Sequence, residues 1–408
     1  MSVTAIHVGL QLHKTILPVG RLAILDHHIY FEYDNDFLKT HLPISPFHLP
    51  LTSGLKSFDR TVFDGLPGVF NDSLPDGWGK LLLDRRMRSR GVLPAQLTAL
   101  DRLTHVGSTG MGALIYEPDL HETDIVSTTL DELAGHAENI LSGSPDEILP
   151  TLLALNGSSA GARPKVMVSV DAKKKKIICG TDVTLQQWLI KFSNKQDGAD
   201  AGAIEYVFSL MAKNAGVLMM ETHLFPEKNG AGYFGTKRFD RDFAKRFHAH
   251  TVSGLLHADF RTVSMDYREL LTITETLTRD ERDVEKLFRQ AVFNVLSHNR
   301  DDHLKNFSFL MNAQGEWHVS PAYDLTFSSG PGGEHMTTVL GKGDRISVSD
   351  LTQLGIEAKL LPRVIAGVIE QTQSALNEWP RLAKNYGVSG ENIREISGVW
   401  RQCPGRPH

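Results

Sequence analysis

The segment Asn299-Arg300-Asp301-Asp302-His303-Leu304-Lys305-Asn306-Phe307-Ser308 follows a long apolar-periodic stretch, Asp283 to Leu296, that reads as a helix. It carries an aspartate at 301 and an asparagine five residues later at 306. Beyond it, Phe307 to Met311 and Trp317 to Ser320 read as a strand pair, and Tyr323-Asp324-Leu325-Thr326 presents a further aspartate. The spacing D-x-x-x-x-N is that of catalytic loops in phosphoryl transfer, and a strand hairpin followed by Asp is where such folds present their main metal-binding carboxylate. That chemistry needs a carboxylate to orient and deprotonate the attacking hydroxyl. It also needs oxygen ligands for Mg²⁺ and a cation on the α and β phosphates of ATP. Asp301 fits the first role, and Asn306 and Asp324 the second. The spacing of Asp301 and Asn306 alone arises often by chance, and an Asp in a loop is most often just solvated. The third residue, behind an apolar strand pair, makes the combination specific. Lys305 reads equally well as a surface lysine or as a cation for the transferred phosphoryl group.

The half of the chain before this segment supplies the cation. In Trp188-Leu189-Ile190-Lys191-Phe192 a lysine is embedded in an apolar strand, which is costly unless it meets an anion. Glu205, on the next expected helix (about Ala199 to Ala215), is its natural ion-pair partner. The stretch Gly157-Ser158-Ser159-Ala160-Gly161-Ala162-Arg163-Pro164-Lys165 is small, then basic, so its backbone N–H groups could approach phosphates closely. It lacks the Gly-Lys-Ser/Thr ending of a Walker loop, and a plain linker has the same composition. A strand-rich half with a glycine loop and an embedded lysine, followed by a helical half with a carboxylate-rich loop, is the chain order of a two-lobed kinase.

Composition excludes several other classes. The 408 residues are 41% hydrophobic and 22% charged, enough for two or three domains with ample core. A net charge of −5 argues against a chain that coats DNA. The dense basic run Lys173 to Lys176 lies between two β-like stretches and reads as a solvated hairpin turn. Two cysteines, Cys179 and Cys403, make neither a disulfide framework nor a CxxC metal site, which fits a reducing cytoplasm. No secretory leader and no membrane-spanning apolar run is expected.

The expected fold is α+β, two-lobed and protein-kinase-like, with an N-terminal mixed β/α subdomain. Residues 1–120 form that subdomain, with short strands at Ile6 to Leu12, Gly20 to Leu25 and His28 to Tyr33. A helix opens at Ser73-Leu74-Pro75-Asp76 and runs toward Arg88. Residues 121–260 form the nucleotide-binding lobe, 261–395 the helical lobe, and 396–408 a tail.

Taken together, the segments Ser158 to Lys165, Leu189 to Phe192, Arg238-Phe239-Asp240-Arg241, Asn299 to Ser308 and Ser320 to Thr326 resemble the HipA family of serine/threonine kinase toxins. Ser73-Leu74-Pro75-Asp76-Gly77-Trp78-Gly79 resembles a motif of that family's N-terminal subdomain. The resemblance runs from about residue 15 to 385 and implies a kinase core related to phosphoinositide and eukaryotic protein kinases. It implies Asp301 as catalytic base, Asn306 and Asp324 as Mg²⁺ ligands, and Lys191 on the α and β phosphates of ATP. Lys165 and the preceding Ser159, Ala160 and Gly161 would lie over the phosphates, and Lys237, Arg238 and Phe239 would contact adenine. Ser158 matches the loop serine that the family phosphorylates on itself, with Ser159 as second choice. The resemblance further implies a HipB-like helix-turn-helix antitoxin as partner, DNA contact only through that partner, and an aminoacyl-tRNA synthetase as target. Two departures stand out. Many members carry Glu where this chain has Lys237, and the stretch Phe247 to Phe260 differs from the better-known members, which places the chain in a different branch.

Two other readings fit the same residues. One is a kinase of this fold acting on a small molecule or lipid head group. The other is a non-catalytic ATP-binding co-repressor of a DNA-binding partner, which the intact acidic positions count against. Gly332-Gly333-Glu334-His335 reads as an ordinary turn in preference to an acceptor-site lining.

Overall fold

A computed structural model of the chain describes residues 3–125, 127–144, 148–157, 161–194, 198–261 and 265–402. The chain divides into two compact units. The first comprises Met1–Gln196, Thr236–Asp259 and Leu310–Glu316, and the second Asp197–Gly235, Phe260–Phe309 and Trp317–His408.

The first unit opens with a sheet in which two strands turn alternate side chains inward. In β1 (Ala5–Leu10) Ile6, Val8 and Leu10 point into the core; in β3 (His28–Tyr33) Ile29, Phe31 and Tyr33 do so. Between β2 (Leu17–Leu25) and β3 the chain turns on Asp26 and His27, both at positive φ (49° and 63°), the backbone of a two-residue hairpin whose twist matches its strands. With β4 (Lys56–Ser57) and β5 (Leu114–Glu117) the sheet order is β4-β3-β2-β1-β5. The second expected strand proves longer than its β-branched residues suggested. It begins at Leu17 and includes Pro18, which sits at a register shift opposite Gly9, where a missing N–H is tolerated. The expected helix is Gly77–Ser89, capped by Asp76, whose Oδ1 accepts from Gly77 N at 2.8 Å.

The same unit holds β6 (Lys165–Val170), β7 (Ile177–Cys179) and β8 (Gln186–Lys191), with β6 between the other two, antiparallel to both and buried along its whole length. The lysine run forms the turn between β6 and β7. Asp171 Oδ1 accepts from the backbone N–H of Lys175 and Lys176, and three of the four lysines are exposed.

Two buried polar networks tie the segment 236–259 to the rest of this unit. Asp240 accepts from Arg238, Arg241 and the Gly112 N–H, and both guanidinium groups donate to the Gly110 carbonyl. Burial pushes the Asp240 carboxyl up, but the two arginines outweigh it and hold it far below the usual range. His250 bridges Asp72 (2.6 Å) and Ser45 (3.0 Å), and His248 Nε2 meets the Ile44 carbonyl at 2.8 Å.

The second unit is mostly helical. Its main helices are Ala201–Asn214, Tyr267–Thr278, Glu281–Ser297, Val348–Glu357, Pro362–Asn377, Trp379–Asn385 and Gly390–Gln402. Glu281–Ser297 buries Val284, Leu287, Phe288, Ala291, Val292 and Leu296, the apolar face read from the sequence. Phe208, Trp379 and Trp400 pack edge-on into one aromatic cluster. The pair Ser308–Met311 and Trp317–Val319 forms as expected. Among the described residues no helix is long and apolar enough to cross a membrane.

His248 is fully buried, and burial, followed by the nearby His250, pushes its imidazole down to about 4. The folded state therefore binds fewer protons than the unfolded chain between that value and the ordinary 6.5. Stability is full above 6.5 and falls as pH drops toward 4, by on the order of 3 kcal/mol from this group. Urea unfolding across this range is expected to show a shallower pH slope for His248→Gln than for the wild type; equal slopes would rule out this assignment.

Candidate active site

The loop after Glu281–Ser297 begins at His298, whose left-handed φ of 60° ends the helix. Asn299 then donates to Asn294 Oδ1 (3.0 Å) and bridges to Ser328, and Arg300 N donates to the Ser328 carbonyl. The Asp301 side chain is 53% exposed while Asp302 is fully buried.

Asp302 is the anchor that sequence reasoning missed. Its Oδ2 accepts from Tyr267 Oη (2.8 Å) and pairs with His335 Nδ1 (2.9 Å); its Oδ1 accepts from Met336 N (2.8 Å) and Thr337 N (3.2 Å). Asn294 Nδ2 donates in turn to Tyr267 Oη, whose phenol is raised by burial and then by the Asp302 charge. A buried carboxylate is tolerable only when its lone pairs are filled in this way. Gly332 lies in a short turn, Pro331–Gly333, as read from the sequence, but His335 turns inward to Asp302.

Asn306 lies in a single 3-10 turn, Leu304–Asn306, and its Nδ2 donates to the Asp301 carbonyl at 2.7 Å. A carbonyl acceptor fixes which end of the amide is NH₂, so Oδ1 is the end left for a cation. Tyr323 fastens the next segment. Its hydroxyl donates to the Lys305 carbonyl (2.6 Å) and lies 2.5 Å from Ser308 Oγ. Asp324 follows at φ +58°, a conformation that non-glycine residues adopt at a cost and that recurs where a side chain must be aimed. The loop with Asp301, Lys305 and Asn306 is thus bonded to the segment bearing Asp324 on both sides, through Tyr323 before it and Ser328 after it.

In the first unit, Lys165 and Lys191 stand directly opposite each other on β6 and β8. Lys165 is 3% exposed and Lys191 half-buried. Like charges at opposed positions of a ladder are unfavourable, and anionic groups near them lower the penalty. The Gly161 carbonyl accepts from Trp78 N at 3.0 Å, and Gly77, at φ +44°, approaches so closely that a Cβ there would lie 2.4 Å from that oxygen. At Gly161 (φ +103°) an added Cβ would meet Lys165 Nζ at 2.5 Å. The Asp-Gly-Trp-Gly helix start therefore holds the end of the glycine loop beside a buried ammonium. Lys237 and Phe239 are half-buried, alternating with the inward Arg238 and Asp240. Glu205 is 2% exposed, on Ala201–Asn214 of the second unit. Ser158, Ser159 and Ala160 lie outside the described residues.

These donor sets suit the groups expected from the sequence. An amide oxygen and a carboxylate are hard ligands of the type Mg²⁺ takes, and two opposed lysines beside a glycine backbone suit a triphosphate.

The chain matches the family models of the HipA N-terminal domain over residues 11–117 and the HipA-like C-terminal domain over residues 157–379. It belongs to the HipA family. Among solved structures it is similar to HipA of Shewanella oneidensis MR-1, from a toxin–antitoxin complex with HipB and operator DNA. The TM-score is 0.68 at 16% identity, over 97% of this chain and 95% of that one. At that identity the likeness establishes the fold: the α+β, kinase-like HipA fold. It is also matched to the Helicobacter pylori proinflammatory kinase CtkA at 14% identity, over 52% of this chain and 92% of that one, with a TM-score of 0.33, too low to carry an argument. No curated protein matches the sequence.

The neighbouring aspartates predict opposite outcomes. Asp302→Ala strands four buried donors and is expected to lower stability by about 2–5 kcal/mol in urea unfolding, whereas Asp301→Ala should stay within about 0.5 kcal/mol of wild type. Equal effects of the two would contradict the anchor role.

Proposed function

We propose that this HipA-family chain is an ATP- and Mg²⁺-dependent serine/threonine protein kinase that acts as the toxin of a type II toxin–antitoxin pair. The observation that carries the reading is the Asn306 Nδ2 bond to the Asp301 carbonyl, in a loop fastened through Tyr323 and Ser328 to the segment that presents Asp324 at positive φ.

In this reading Asp301 accepts the proton of the attacking serine or threonine hydroxyl as its oxygen bonds to the γ-phosphorus, and ADP leaves. Asn306 Oδ1 and the Asp324 carboxylate would hold Mg²⁺, which would supply positive charge against the phosphates. Lys191 and Lys165 are assigned to the α and β phosphates, and Glu205 to orienting Lys191. Gly161 with Ser159 and Ala160 is assigned to the phosphate-covering loop, Lys237 and Phe239 to adenine, and Lys305 to the transferred phosphoryl group.

The partner we propose is a small helix-turn-helix antitoxin similar to HipB. The net charge of −5 agrees with DNA contact through such a partner and not directly. The proposed target is an aminoacyl-tRNA synthetase in the cytoplasm, phosphorylated so that translation and growth stop. Autophosphorylation at Ser158 would add about two negative charges to a loop shaped to meet phosphate, which accounts for self-inactivation.

Incubating the purified protein with γ-labelled ATP and a cell lysate tests this. Label is expected in the chain itself and in one dominant protein. Asp301→Ala should remove both signals and the growth arrest without unfolding; persistence of either would overturn the assignment of Asp301. Label confined to solvent-extractable material would favour a small-molecule kinase, and none at all a co-repressor. Ser158→Ala should leave a kinase that no longer silences itself, and undiminished self-labelling in that variant would move the site to Ser159.

A further inference from the structure

We propose that the helix start Asp76-Gly77-Trp78-Gly79 clamps both ends of the glycine loop, 157–161, and thereby sets the affinity for ATP. Its members are positioning residues that act on the nucleotide through the loop. The inference rests on the kinase reading above and deepens it.

The far end of the loop is held by a backbone bond. The first N–H groups of a helix have no partner within it. Asp76 Oδ1 accepts that of Gly77, and the Gly161 carbonyl accepts that of Trp78 at 3.0 Å. The Trp78 side chain is buried, which fixes this donor in place. Gly77 lies at φ +44°, and a Cβ there would sit 2.4 Å from the Gly161 oxygen and 2.8 Å from the Ala162 Cα. Only glycine lets two backbones approach so closely.

The near end is held through one side chain. Asn156, fully buried at the end of the helix Leu149–Asn156, donates from Nδ2 to the Gly157 carbonyl at 2.9 Å. That amide lies against the backbone of Gly79, where a Cβ would meet Nδ2 at 2.3 Å. One short stretch of the N-terminal subdomain therefore meets the loop at both ends, directly at Gly161 and through Asn156 at Gly157.

A short loop with fixed ends has few conformations to lose when its N–H groups converge on phosphate, and affinity rises with that preorganisation. The clamp also sets Gly161 beside Lys165 Nζ, so the loop end and the buried ammonium are placed together. It lies wholly in the first unit, whereas Asp301, Asn306 and Asp324 belong to the second. Loosening it should weaken nucleotide binding and spare the chemical step.

Titration of the full-length protein with a fluorescent ATP analogue, alongside steady-state phosphorylation of the dominant lysate protein, tests this. Gly77→Ala and Gly79→Ala should each raise Kd for the analogue and KM for ATP by about tenfold, the scale of one lost or displaced hydrogen bond. The rate at saturating ATP should stay within about threefold of wild type, the signature of lost binding without lost catalysis. Gly91→Ala is the control: at φ +81°, just past the other end of the same helix and with nothing within 4 Å of an added Cβ, it carries backbone strain without touching the loop. It should leave both constants at the wild-type value. Asn156→Ala removes the amide that a Cβ at position 79 would strike, so adding Gly79→Ala to it should weaken binding little further. Unchanged affinity in the Gly77 and Gly79 variants, an equal loss in Gly91→Ala, or additive losses in the Gly79/Asn156 pair would overturn the proposal. If Gly77→Ala does not fold, the Gly79/Asn156 pair decides alone. Wild-type protein that binds no nucleotide sinks the kinase reading itself, whereas a wild type that binds ATP, with unimpaired variants, sinks only this inference.

Discussion

A carboxylate buried without full compensation would drive its segment out of the protein, so the four hydrogen bonds to Asp302 constrain everything around it. They come from Tyr267 at the start of one helix and from the segment His335–Thr337, and Asn294 supports Tyr267 from another helix. Three stretches distant in sequence are thereby bound to one loop position. Asp302 faces inward there, while the Asp301 side chain is 53% exposed. Asn306 and Tyr323 then hold the rest of the loop by its carbonyls, at residues 301 and 305.

The first unit solves the complementary problem of holding positive charge. Lys165 and Lys191 stand opposite each other on β6 and β8, an arrangement that is unfavourable unless anionic groups lie close to it. The surroundings are rigid: β6 is buried throughout, and the glycine loop end is fixed by the backbone of the Gly77–Ser89 helix. Asp240 and its two arginines hold the neighbouring segment to the 110–112 turn in the same fully satisfied manner as Asp302. That rigidity suits the phosphate contacts proposed for the two lysines, since a mobile lysine loses side-chain entropy on binding.

Much of this was legible in the sequence. The period of apolar residues located Glu281–Ser297, alternation located β1 and β3, and the spacing of Asp301, Asn306 and Asp324 singled out residues that the second unit holds in bonded segments. Family motifs found the Gly77–Ser89 helix start and the Arg238–Arg241 run. The roles of Asp302, Tyr267, His335 and Tyr323 were not legible, because each depends on a partner brought close only by folding. Asp302 carried no signal of its own in the sequence, since a buried carboxylate shows itself only through the donors around it.

The central claim is that Asn306 and Asp324 serve one cation bound with the nucleotide. Titration of Mn²⁺ in the presence of a non-hydrolysable ATP analogue, followed by electron paramagnetic resonance, tests it directly. Tight binding to the wild type, lost in both Asn306→Ala and Asp324→Ala while each variant stays folded, is the predicted result. Mn²⁺ bound to either variant as tightly as to the wild type would contradict it.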